Sequence, residues 1–245
     1  MITEANQNGA ARQYAERDKR VNDAIAMKVP DRVPFQLFVG YFAARYCGIP
    51  CSALYYEPEK WREANIRTIT ELEPDVYWVQ TASVSGKAME ILGPRQMRWP
   101  GFGVSPDHSH QMIELEPMKP EEYDAFLRDP SDFIMRTFLP RVVESAEPLA
   151  KLPPMRSLFF SMGLAPYLAQ FTRPDMVAML EKFRRAAELQ AQWQGRDGRF
   201  DEEMAALGFP PYNTPMMMAG APFDMISDFL RGMRGAMLDM YRFPD

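Results

Sequence analysis

Apolar residues recur at helical spacing over about residues 8–27, where Tyr14, Val21, Ala24 and Ile25 share a face and Arg12, Glu16, Arg17 and Lys19 point to water. The chain then reads Pro30-Asp31-Arg32-Val33-Pro34, and a mainly apolar run follows to Val39, ahead of Gly40. Two prolines framing a turn before a run of that length predict a buried strand over 33–39. Residues 58–72 predict a helix opened by Pro58, with Trp61, Ile69 and Leu72 on one side. Val76 to Gln80 predicts a second strand, and Lys87 to Leu92 a short helix closed by Gly93. Strand, helix, strand, helix is the βαβ rhythm of a parallel sheet.

The rhythm then breaks. Residues 97–103 and 111–115 predict two strands of a hairpin or flap. Glu121 to Leu127 predicts a short helix, and Asp129-Pro130 starts another that runs to about Arg141. Pro148 to Pro154 reads as a loop, and 157–171 fits no single period. Pro174 opens a long helix to about Gln194 with Met176, Val177, Leu180, Phe183 and Ala187 as its apolar set. Asn213 to Gly220 predicts a third strand. Ala221-Pro222-Phe223 turns the corner, and Asp224 caps an amphipathic helix with Ile226, Phe229, Leu230, Met233 and Met237 on its apolar side. These elements predict an α/β fold in one domain over residues 1–245, with 1–12 disordered.

Composition narrows the classes. The net charge is −5 and the basic residues are scattered, so no basic stripe suits nucleic acid. No apolar run approaches the length of a membrane span, and no secretory signal opens the chain, which places it in the cytoplasm. Two cysteines make no disulfide framework. The 22 prolines punctuate loops, and the 19 methionines largely fill helical core positions.

A (β/α)₈ barrel takes about 250 residues, and this chain has 245. Only about three strands of the parallel, buried type are legible, and three cannot close a barrel. The expectation is therefore an incomplete TIM barrel, a sheet completed by another chain, or an open α/β domain.

Three stretches carry a family resemblance. The first is the helix leading into Pro30-Asp31-Arg32-Val33-Pro34. The second is the corner Gly220-Ala221-Pro222-Phe223-Asp224. The third is the middle segment from Gln111 to Arg141, with Glu121-Glu122-Tyr123-Asp124, then Asp129-Pro130, then Leu139-Pro140-Arg141. In this order they resemble the uroporphyrinogen decarboxylase superfamily, and its methyltransferase-like branch in particular. The resemblance implies a (β/α)₈ TIM barrel of which this chain is the N-terminal portion. One branch decarboxylates uroporphyrinogen without a cofactor. The other moves methyl groups to or from corrinoid proteins or thiols, commonly with zinc held by ligands from later strands, which would lie beyond Asp245.

The resemblance also implies where a substrate would sit. The decarboxylase branch holds a polyanionic tetrapyrrole with two arginines four apart after the first strand, since carboxylates favour bidentate guanidinium. Here Arg45-Tyr46 fits the second arginine and its tyrosine, while Tyr41 stands in place of the first. After the second strand that branch places an aspartate, where this chain has Gln80. Both departures point away from uroporphyrinogen. The implied activity is demethylation of a small methoxylated or methylamine-type substrate with a corrinoid acceptor. The alternatives are a decarboxylase acting on uroporphyrinogen or another carboxylated ligand, and an inactive fragment or a partner-dependent binding module; as the N-terminal portion of a barrel, the chain alone is expected to be inactive. Substrate-binding candidates are Tyr41, Arg45, Gln80, Met218 and Phe223.

Metal ligands are sparse. Cys47 and Cys51 are spaced unlike common zinc pairs and read as buried thiols. His108 and His110 alternate in the flap and are weak metal candidates. No cofactor is expected within this chain, and zinc and a corrinoid are expected only for a longer one. The expected partners are a small-molecule substrate, a corrinoid protein and a second copy of the chain.

Overall fold

The computed structural model describes residues 4–79, 84–159, 161–194, 197–212 and 221–243. In chain order the elements are α1 (Glu4–Ile25), β1 (Gln36–Phe38), α2 (Phe42–Cys47), α3 (Ala53–Tyr56), α4 (Pro58–Leu72) and β2 (Val76–Trp78). Next come α5 (Gly86–Leu92), β3 (Met97–Pro100), β4 (Gly103–Val104), β5 (Gln111–Met112), α6 (Tyr123–Arg128), α7 (Pro130–Phe133) and α8 (Leu139–Val142). The chain continues through α9 (Leu164–Ala169), α10 (Pro174–Gln194), α11 (Asp197–Ala206), α12 (Pro222–Ile226) and α13 (Gly232–Arg242). The class is α/β with helix predominating. No closed barrel forms among the described residues.

The chain divides into two compact units. The first contains 1–87, 99–109 and 189–216, and the second 88–98, 110–188 and 217–245. The first is built on β1 and β2, parallel and in register from Gln36 opposite Val76 to Phe38 opposite Trp78. A parallel bridge sets Pro211 against Tyr77 on the far side of β2, and the Tyr212 amide donates to the Tyr77 carbonyl at 2.9 Å. The expected third strand over 213–220 lies outside the described residues. α4 forms as the sequence predicts and buries Trp61, Ala64, Asn65, Thr68 and Ile69, one helical stripe.

The Pro-Asp-Arg-Val-Pro turn is explained by one buried carboxylate. Asp75, fully buried at the start of β2, takes both forks of Arg32 at 2.7 Å. It also accepts from Arg20 of α1 at 2.5 Å and from the Phe35 amide at 2.7 Å. Arg20 grips Asp31 bidentately at 2.6 Å, holding its carboxyl down to about 2. Four charged groups thus tie the end of α1 to the N-terminal ends of both strands.

In the second unit Met176 and Met179 are buried with Ala146, Leu149 and Leu152. The segment read as a loop from Pro148 begins inside a 3₁₀ run, Glu144–Lys151. β3 pairs antiparallel with β5 through Met97–Met112 and Arg98–Gln111, the expected flap. Arg141 grips Glu122 at 2.7 and 2.8 Å, and Asp129 caps α7 by accepting from the Asp132 amide at 3.0 Å. The middle motif therefore consists of joints between short helices.

Several expectations need correction. α1 begins at Glu4, so 4–12 are helical, continuous with the amphipathic turns that follow. Arg17 does not point freely to water: it donates to the Gly208 carbonyl at 2.5 Å and stacks 4.0 Å from the Phe209 ring centroid. β1 is shorter than 33–39 and not buried: Val33 is 84% and Phe38 49% exposed, because no described strand flanks β1 on its side away from β2. On α10, Val177 and Leu180 are exposed while Met176, Met179, Ala186 and Trp193 are buried. The last helix is inverted most of all. α12 starts at Pro222 with Ala221 at its N-cap, so Asp224 lies in the first turn. A π-turn over Ser227–Arg231 and a break at Gly232 follow, where φ is 69° and ψ 159°. That break resets the phase. Gly232, Gly235, Ala236 and Asp239 are buried, and Phe229, Met233 and Met237 are exposed.

Candidate functional site

In the first unit, Tyr41 follows β1 directly, where Gly40 turns the chain at φ +50°. Its hydroxyl lies 2.5 Å from the Tyr55 hydroxyl, and burial together with that bond pushes the Tyr55 phenol up. Tyr41 is thus engaged with a buried phenol. Arg45, in the last turn of α2, is exposed, and its guanidinium donates to the Asp107 carbonyl at 3.4 Å. Tyr41 and Arg45 stand one turn apart at α2, where the Arg45 amide donates to the Tyr41 carbonyl at 3.4 Å. Gln80 and Met218 lie outside the described residues. Cys51 is buried near the Asp107 carbonyl at 3.5 Å, and burial raises its thiol. Cys47 is half-buried and instead lies 3.6 Å from the Ala64 carbonyl. His108 and His110 precede β5 in exposed loop rather than alternating along a strand, because β5 begins only at Gln111. Among the described residues no group of three His, Cys, Asp or Glu gathers to hold a metal.

In the second unit, Phe223 lines a cavity of about 530 Å³ with Tyr123, Leu127, Ile226, Asp239 and Phe243, a size that suits a small organic ligand. Its wall holds a buried ion pair. Arg231 is 3% and Asp239 4% exposed; the Arg231 Nε donates to Asp239 at 2.5 Å and its Nη1 to the Met118 carbonyl at 2.7 Å. The Tyr123 hydroxyl donates to Asp239 at 3.2 Å. Bonding to Arg231 holds the Asp239 carboxyl below the usual carboxylate range, while burial raises the Tyr123 phenol. Gly232 makes this packing possible: a Cβ there would meet the Glu114 carboxylate at 2.9 Å, and that carboxylate accepts from the Met233 amide at 2.6 Å.

No family model, curated protein or solved structure matches the chain. Among the described residues no helix is long and apolar enough to cross a membrane.

Of the expected substrate residues that are described, Phe223 lines this cavity and Tyr41 and Arg45 do not. Sequence reading missed Tyr123, Arg231 and Asp239. The available signal was the Gly-x₂-Gly-Ala-x₂-Asp run from Gly232 to Asp239, which puts small residues and one carboxylate on a single helical face opposite the methionines.

Proposed function

We propose that this chain forms the opening strands of a (β/α)₈ barrel of the uroporphyrinogen decarboxylase type, and that it serves methyl transfer from a small methoxylated or methylamine-type substrate to a corrinoid protein. The observation that supports the barrel is the sheet order: β1, β2 and a single parallel bridge at Pro211 lie side by side, with helices and the separate flap sheet in the connections, and parallel neighbours joined through helices are the unit of such barrels. The choice of chemistry rests on Tyr41. A tyrosine hydroxyl already engaged with Tyr55 supplies no charge to a carboxylate, and Arg45 alone faces solvent. A polyanionic tetrapyrrole would lack its two-arginine grip.

The described residues do not fit a zinc centre, since Cys47, Cys51, His108 and His110 do not converge with a third ligand. What this chain's residues supply is position: the Asp75 cluster fixes the N-terminal ends of the strands, opposite the end where such barrels carry chemistry. The test supplies the protein with cob(I)alamin and a panel of methoxylated and methylated amine donors. Formation of methylcobalamin, read by absorbance, is the expected result. Conversion of uroporphyrinogen to coproporphyrinogen, with no cobalamin change, would instead establish the decarboxylase.

A further inference from the structure

The cavity of the second unit carries a reading that does not depend on the barrel. Three aromatic rings line it, those of Tyr123, Phe223 and Phe243, with Tyr123 and Phe243 edge to face at 5.6 Å between centroids. Three carboxylates line it as well: Glu121, Asp124 and Asp239. Among the described residues no lysine or arginine lines it. Asp239 is matched by Arg231 from behind, whereas Glu121 and Asp124 stand exposed at the rim. A neutral apolar ligand would need the rings alone, and an anion would face rim carboxylates. A cation with an apolar body uses both features. Its charge meets ring faces, whose quadrupoles attract cations, and the rim carboxylates add Coulomb attraction.

We propose that this cavity binds an organic ammonium ion, a methylated nitrogen attached to an apolar body, seated among Tyr123, Phe223 and Phe243 beneath Glu121 and Asp124. The Arg231–Asp239 pair is a positioning element. It fixes the helix that carries the cavity wall and, through the Tyr123 hydroxyl, the orientation of one ring.

The experiment titrates the full chain, labelled with ¹³C at its methionine methyls, with benzyltrimethylammonium, benzyl alcohol and phenylacetate at low salt. Met240 lines the cavity and is the reporter, assigned through Met240→Leu. The expected result is a Met240 shift that saturates with benzyltrimethylammonium about tenfold tighter than with benzyl alcohol, and weakest with phenylacetate; tenfold is the scale of one or two cation–ring contacts plus rim charge. Phe223→Leu, which keeps an apolar side chain but removes a ring, should lower that preference, read as the ratio of the two affinities. Glu121→Gln with Asp124→Asn should do the same, and added salt should mimic it. A cation preference below threefold, an unmoved Met240, or a preference indifferent to both variants overturns the proposal.

Discussion

Each unit buries one carboxylate against arginine, and the two sites differ in what closes the shell. Asp75 is sealed by two arginines and a backbone amide, with its side chain fully buried. Asp239 is held by one buried arginine and a tyrosine hydroxyl, and one side of it lines a cavity. The first arrangement has no bonding capacity left for a ligand and acts as a fastening between α1, β1 and β2. The second leaves its ring neighbours accessible and acts as the wall of a binding site. A buried ion pair by itself identifies neither role; the space beside it does.

The contrast can be broken most forcefully at Asp75. Asp75→Ala leaves Arg20 and Arg32 without their shared acceptor and should cost about 3–5 kcal/mol, read as a fall in the urea midpoint, without changing ligand shifts at Met240 in the molecules that remain folded. Arg231→Ala removes the main partner of the buried Asp239, leaving it Tyr123 and the more distant Arg242, and should cost about 3 kcal/mol; it should also weaken cavity binding because the wall loses its anchor. Arg231→Met combined with Asp239→Leu should recover most of that stability, since an apolar pair of similar volume removes the desolvation cost. If the double variant is no more stable than Arg231→Ala, the pair is not the unit of stability described here.

Gly232→Ala comes next. The backbone there occupies a region open essentially to glycine, and a Cβ would strike the Glu114 carboxylate, so a loss of about 1–3 kcal/mol is expected. Tyr123→Phe should cost about 1 kcal/mol, the scale of one hydrogen bond, and should leave ammonium binding nearly intact because the ring remains. The smallest effect is acid dependence at Asp239. Its folded carboxyl titrates below the ordinary range, so its contribution is complete above about pH 4 and is lost as pH falls further. The urea midpoint of the parent chain should fall with pH there more steeply than that of the Met/Leu double variant. Equal slopes would assign the acid sensitivity to other carboxylates.

The sequence alone was informative where local chemistry decides. α4 was legible from Pro58 and from Trp61 and Ile69 at helical spacing, and the parallel pairing of β1 with β2 followed from the βαβ rhythm. The flap and the glycine cap at Gly93 were legible for the same reason: short-range backbone geometry needs specific residues. The stretches that carried the family resemblance proved to be joints. Arg32 finds Asp75, Arg141 finds Glu122, and neither partnership can be read from spacing, because each links residues far apart in the chain.

The tertiary structure decided burial and convergence. Phe229, Met233 and Met237 share a helical face in the sequence, yet a π-turn and the φ-positive Gly232 reset the phase and bury Gly235, Ala236 and Asp239 instead. Periodicity counts residues along an ideal helix, and one inserted residue rotates every later side chain by about 100°. Tyr41 and Phe223, both expected to contact a substrate, fall in different units, while Tyr123 of α6 and Asp239 of α13 meet through a side-chain hydrogen bond that spans most of the second half of the chain. The sequence determined segments such as α4, α10 and the β1–β2 pair, where local pattern and end signals agree. The choice of carboxylate to seal and carboxylate to leave beside open space belongs to packing, which no local pattern encodes.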